Sequence, residues 1–104
     1  MAVILSVLYP AADGKSFDQA YYDSHHIPLV KEAFGPTGLT GVQVFKGLSA
    51  PDGSQAPYVA MAHLTFADAA ALQASMTSPR AGEVFADVAK FTNIQPVTQV
   101  STPA

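Results

Sequence analysis

The sequence predicts an α+β fold in the order β-α-β-β-α-β, and three observations predict it. Four short apolar or alternating runs read as strands: "AVILSVLY", "LTGVQVFKGL", "YVAMAHLTF" and "NIQPVTQV". Two stretches between them carry helix-start residues and helix-forming composition. The 104-residue length allows one core and leaves no room for a second, so residues 1–104 read as a single domain.

Each element has its own justification. The first run is β-branched and ends at Pro10, and "AADGK" turns the chain through Asp13-Gly14. Ser16 opens the first helix, with Gln19 completing a capping box. "PTGLTG" breaks the chain before the second strand, and "SAPDGSQAP" joins the second strand to the third as a hairpin loop. Thr65 to Met76 is helical by its alanines, with Thr65 as cap and Asp68 as first-turn acid. Ser78-Pro79 restarts a helix whose Ala81, Val84, Phe85 and Val88 form one apolar stripe. Pro96 puts the last strand at a sheet edge or a bulge.

This order is the ferredoxin-like, split βαβ arrangement, an antiparallel sheet with two helices on one face. Val3, Leu5, Val7 and Tyr9 alternate with Ala2, Ile4, Ser6 and Leu8, and neither set is hydrophilic. Helices cover only one of these faces. The other is expected to meet a second copy, sheet to sheet, in a homodimer with a dry pocket between the sheets. Charged residues make up 12% of the chain, against about 25% in ordinary globular proteins, which agrees with an apolar surface that meets a partner.

Several function classes drop out. A net charge of −3 and no Lys/Arg cluster argue against nucleic acid. No apolar run approaches the ~20 residues that span a bilayer. "MAVILSVLYP" lacks the basic region and cleavage site of a signal peptide, and the chain has no cysteine, so a cytoplasmic protein is expected. The three histidines lack metal-ligand spacing and a carboxylate on the same face, and no phosphate loop or serine elbow is present. A protein working without metal, haem, flavin or nucleotide is the expectation.

"YYDSHHIPLV", residues 21–30, is the stretch whose polarity is out of place. Tyr22 and His26 lie one helical turn apart. Pro28 is expected to kink or end the helix and free the Ser24 carbonyl, which would favour an imidazolium and raise the His26 pKa. His26 then becomes an acid–base group beside an apolar pocket, removable without much loss of stability. The plainer alternative is a histidine that only ties down helix-end carbonyls. His25 points about 100° away. His63 shares a strand face with Val59, Met61 and Thr65, as an interface residue or a ligand contact. Tyr9 and Tyr22 either orient a ligand or fill the core.

These residues carry a resemblance. The aromatic pair Tyr21-Tyr22, then His26, Pro28, Leu29 and Val30, then Gly35, Pro36, Gly38 and Leu39, resemble the EthD family of the dimeric α+β barrel superfamily. Phe91, Thr92, Asn93 and Pro96 resemble its second block, while Phe34 stands where many relatives carry tryptophan. EthD-like proteins accompany bacterial breakdown of ethyl tert-butyl ether. Superfamily relatives are cofactor-free monooxygenases, isomerases, lyases and haem-binding proteins that share a pocket and not a reaction. Residues and resemblance together predict a dimeric, cofactor-independent enzyme for a small hydrophobic oxygenated or carbonyl compound. His26 would be its acid/base, with Tyr9, Tyr22, His25, Phe34, His63 and Phe91 contacting substrate. The alternative is a non-catalytic protein that sequesters a hydrophobic catabolic intermediate.

Overall fold

β-branched and aromatic runs pair as the alternation requires in the computed structural model, which describes residues 1–103. Strands β1 (Val3–Pro10), β2 (Leu39–Lys46), β3 (Tyr58–Phe66) and β4 (Val97–Ser101) form one antiparallel sheet in the order β2-β3-β1-β4. This is the ferredoxin-like order. Pro96 stands just before β4, which lies at a sheet edge, where a missing N–H disturbs no central ladder. Register divides β1 and β3 into two faces. Val3, Leu5, Val7 and Tyr9 oppose Phe66, Leu64, Ala62 and Ala60 on one; Ile4, Ser6 and Leu8 oppose Thr65, His63 and Met61 on the other.

The first helical region begins later than the sequence suggests. Helix α1 (Gln19–Tyr21) is capped by Asp18, whose carboxylate accepts the Tyr21 N–H at 3.1 Å. Ser16 is instead held by its N–H, which donates to the Asn93 side chain at 2.9 Å. A π-helical turn (Tyr22–His26) follows and leads into α2 (Ile27–Phe34) and a 3-10 turn (Gly35–Thr37). The helical path therefore does not end at Pro28. The Ile27 N–H reaches back five residues to the Tyr22 carbonyl, and Pro28 falls in the first turn of α2, where its lost N–H is tolerated. The wide turn absorbs the proline.

The second helical region also differs. Thr65 and Phe66 belong to β3, and α3 (Ala69–Met76) is capped by Asp68 through the Ala71 N–H at 2.8 Å. Helix α4 (Ala81–Asp87) starts just after Pro79-Arg80 and closes in a 3-10 turn (Val88–Lys90). Val30, Ala33 and Phe34 of α2 and Ala81 and Val84 of α4 pack on Val3, Ala62, Leu64 and Phe66 of the sheet. A second cluster, Tyr9, Tyr22, Ile27, Ala60, Phe91 and Ile94, closes the other end. The segment before α1 is tied to the segment before β4: Phe17 bridges Thr92, and the Asp18 N–H donates to the Phe91 carbonyl at 2.7 Å. Among the described residues no helix is long and apolar enough to cross a membrane.

Gly38 ends the first helical region with φ of 112°. A methyl there would overlap the Ala71 Cβ of α3. Gly38→Ala should thus combine left-handed strain, about 1–2 kcal/mol, with overpacking of about 1–3 kcal/mol. Gly35→Ala, with open space at its Cβ, should be nearly neutral. Thermal denaturation checks the pair. A loss of at least about 4 °C is expected for Gly38→Ala alone.

Candidate functional site

Small side chains at the centre of the helix-covered sheet face leave a gap under the helices. Ala62 stands opposite Val7 where a larger residue would fill the layer, and Leu5 and Val7 stay only half-buried. The result is a cavity of about 240 Å³ inside one chain, between the sheet and helices α2 and α4. Leu5, Val7, Ala62 and Leu64 form its floor; Ile27, Val30, Phe34 and Val84 form its roof. The exposed residues Phe85 and Thr98 also line it and mark its opening. The cavity lies on the helix side and is formed within one chain, on the opposite side of the sheet from the face where a pocket between two copies was expected. A larger depression of about 520 Å³ beside Lys46 and Leu48 is open to the outside and holds none of the candidate residues.

The π-helical turn aims the histidines. Residues four apart stack along it, so Tyr22 and His26 face inward with ring centroids 5.6 Å apart, while Tyr21 and His25 face outward at 4.8 Å. His26 is 5% exposed, and its Nδ1 lies 2.9 Å from Asp87 Oδ2 at the end of α4. The other oxygen of Asp87 accepts the Tyr21 hydroxyl at 2.8 Å, with the Lys90 ammonium 4.0 Å away. An ionised carboxylate can only accept, so Nδ1 carries the proton and Nε2 the lone pair. The His26 ring, with Tyr9 and Tyr22, lines the cavity.

Burial pulls the His26 pKa below its ordinary 6.5, and the hydrogen bond and charge of Asp87 offset this only in part. The expected upward shift is therefore reversed, because the helix continues past His26 and desolvation dominates. Burial pushes Asp87 up, yet hydrogen bonds from His26 and Tyr21 outweigh it and hold the carboxyl below its ordinary value. At neutral pH the pair is a neutral imidazole bonded to a carboxylate. Burial raises the phenol pKa values of Tyr9 and Tyr22, which stay protonated and able to donate. His26 is also not freely removable, since His26→Ala would leave a buried carboxylate short of a donor, at about 3–5 kcal/mol for a broken buried pair.

The other candidates scatter. Phe34 lines the cavity. Phe91 lies behind the wall, its centroid 4.6 Å from His26 and 5.0 Å from Tyr22. His25 is exposed and 2.8 Å from the Ser24 hydroxyl, outside the cavity. His63 is on the opposite sheet face, its Nδ1 2.8 Å from Ser6 Oγ and its ring edge-on to Phe45. Asp87 is the residue that sequence reasoning missed. The signal was there: in "VFADVAKF" it lies three residues past Val84, a carboxylate flanking the apolar stripe of its helix. Among the described residues no group of three or more His, Asp or Glu is placed to hold a metal ion.

The family described as EthD domain matches residues 14–95. An EthD-like protein from Ralstonia eutropha JMP134 is 34% identical, with TM-score 0.87 over 96% of this chain and 89% of that one. An ethyl tert-butyl ether (EthD) family protein from Bacillus halodurans C-125 is 21% identical, with TM-score 0.80 and 100% of both chains covered. SnoaB, a cofactor-independent oxygenase from Streptomyces nogalater, shares the fold at 10% identity and TM-score 0.65, over 99% of this chain and 92% of that one. No curated protein matches the chain.

The pKa directions set a pH dependence of stability. The unfolded chain takes up a proton at His26 near 6.5, while the folded chain resists until lower pH. The contribution of His26 is thus complete above 6.5 and is lost as pH falls from there toward the folded value. Asp87 adds a loss only below its ordinary 3.8. Urea denaturation from pH 8 downward should show stability falling below about pH 6.5. His26→Asn, which keeps an N–H for Asp87, should remove that upper step. Wild-type stability that stays flat to pH 4 would contradict the burial argument.

Proposed function

The chain belongs to the EthD domain family, and from that premise we propose a cofactor-independent enzyme that moves a proton on a small, mostly apolar carbonyl or oxygenated compound. The supporting observation is the 2.9 Å bond between His26 Nδ1 and Asp87, which leaves Nε2 as the basic nitrogen of a ring that lines the cavity. Nε2 takes a proton from a C–H beside the carbonyl, and the C–H electron pair moves into an enolate. Neutral Tyr9 and Tyr22 hydroxyls donate to its oxygen, and Asp87 stabilises the imidazolium that forms. Returning the proton to another carbon is an isomerisation. Expelling a leaving group is an elimination. The same carbanion is the species a cofactor-free oxygenation requires, the chemistry named for SnoaB on this fold.

Asp87 and Tyr21 act as positioning residues: one fixes the imidazole tautomer, and the other holds the carboxylate that does so. Residues 1–104 work as one EthD-like unit, and a cytoplasmic setting fits a chain without cysteine. The second sheet face takes a second copy. Leu8, Met61, Phe45 and Val97 form a cross-strand apolar row there, with Phe45 46% and Val97 49% exposed. Ser6 and His63 pair to each other beside that row.

The proton transfer can be read without the natural substrate. Wild-type protein in D₂O should exchange the α-protons of phenylacetone, followed by proton NMR. His26→Asn and Asp87→Asn should lower the rate by about 10²-fold or more, and Tyr21→Phe by less. Undiminished exchange in His26→Asn would refute the acid–base reading. Binding without exchange in the wild type would identify a sequestering protein instead.

Assembly has its own readout. Light scattering should give twice the 10.8 kDa chain mass, and Met61→Asp should give the monomer with the His26–Asp87 pair intact. A wild-type monomer at micromolar concentration would remove the dimer while leaving the cavity in place.

A further inference from the structure

Apart from Thr98 at the opening, the polar and apolar parts of the cavity are separated along β1. At the Tyr9 end are the only ring groups with a donor or acceptor, Tyr9, Tyr22 and His26. At the Leu5 end are Leu64, Phe34 and Met76, with no polar side chain among them. No lysine or arginine lines the space. The nearest charge is the Asp87 carboxylate behind His26, and Lys90, its neighbour at 4.0 Å, keeps a side chain 68% exposed to water.

Two limits follow for any occupant. The first is charge. A carboxylate placed at the polar end would be stripped of water, find no cation in the lining, and lie near Asp87. Desolvating an unpaired ion costs several kcal/mol, whereas a carbonyl needs only the two phenol donors. The second is size. A dry cavity of about 150 Å³ holds benzene, about six heavy atoms. On that scale about 240 Å³ holds about ten, enough for one ring and a short carbonyl chain and not for the same chain on two fused rings.

We propose that the cavity selects a neutral, single-ring-sized carbonyl compound, its oxygen at Tyr9 and Tyr22 and its C–H at His26, and excludes carboxylate-bearing analogues. The orientation rests on the acid–base reading above; the selection by charge and size rests on the lining alone. The polar end accepts one oxygen. The apolar end takes the ring, whose burial supplies affinity in proportion to its area. Specificity arises from what the walls lack.

The test measures binding separately from exchange. Phenylacetone and phenylacetate have nearly the same shape and differ in charge, and the naphthyl analogue of the ketone adds a ring. Each is titrated into wild-type protein near neutral pH, by calorimetry and by the shifts of the His26 ring protons. Phenylacetone should bind at least about tenfold more tightly than phenylacetate, and the naphthyl ketone should not perturb His26. Equal binding of phenylacetate overturns the charge limit, equal binding of the naphthyl ketone overturns the size limit, and failure of phenylacetone to bind overturns both. Selective binding of phenylacetone without α-proton exchange would leave this inference standing and remove the acid–base reading instead.

Discussion

The hydrogen bond from His26 Nδ1 to Asp87 joins the two helical regions behind the cavity wall, and much of the site depends on it. Both partners are under 10% exposed, His26 at 5% and Asp87 at 7%. A buried carboxylate is tolerated only when its oxygens are occupied, and here Tyr21 and His26 occupy one each. The same contact selects the imidazole tautomer. In the proposed mechanism stability and chemistry are coupled at this one residue pair, and a variant that deletes His26 disturbs both.

The π-helical turn makes that pair geometrically possible. A continuous helix carrying a proline would lose a hydrogen bond and clash at the preceding turn. Widening the turn before Pro28 avoids this and presents Tyr22 and His26 to the interior while Tyr21 and His25 remain outside. Tyr21 then reaches Asp87 from the outer side. The adjacent histidines, alike in sequence, end in different environments.

The sheet has two roles because its faces differ in what covers them. Alanine at position 62 keeps the helix-covered layer thin enough for a cavity beside Val7. The opposite face carries an apolar row that the chain itself leaves bare. Separating the cavity from that row means that the His26–Asp87 pair is complete in one chain, whatever happens at the outer face.

Strand order, the edge position behind Pro96 and the grouping of Val3, Leu5, Val7 and Tyr9 on one sheet face were legible in the sequence, because period-two alternation and turn residues are local signals. Which face turns inward was not, since neither is hydrophilic. His26, Tyr22 and the pattern around Gly38 were equally visible as motifs. Helix boundaries were less so: Ser16 and Asp18 are both good caps, and only the bridge from Phe17 to Thr92 decides between them. His63 could not be assigned a side from its strand alone, since both faces of β3 are apolar. Asp87 was hidden because its partner is distant in the chain and periodicity carries no information about long-range pairs. The sequence by itself determined the fold and singled out His26 as the polar group beside an apolar wall. Which side of the sheet holds the cavity, and the direction in which burial shifts His26, were decided only by tertiary packing, because desolvation depends on every element that surrounds a group.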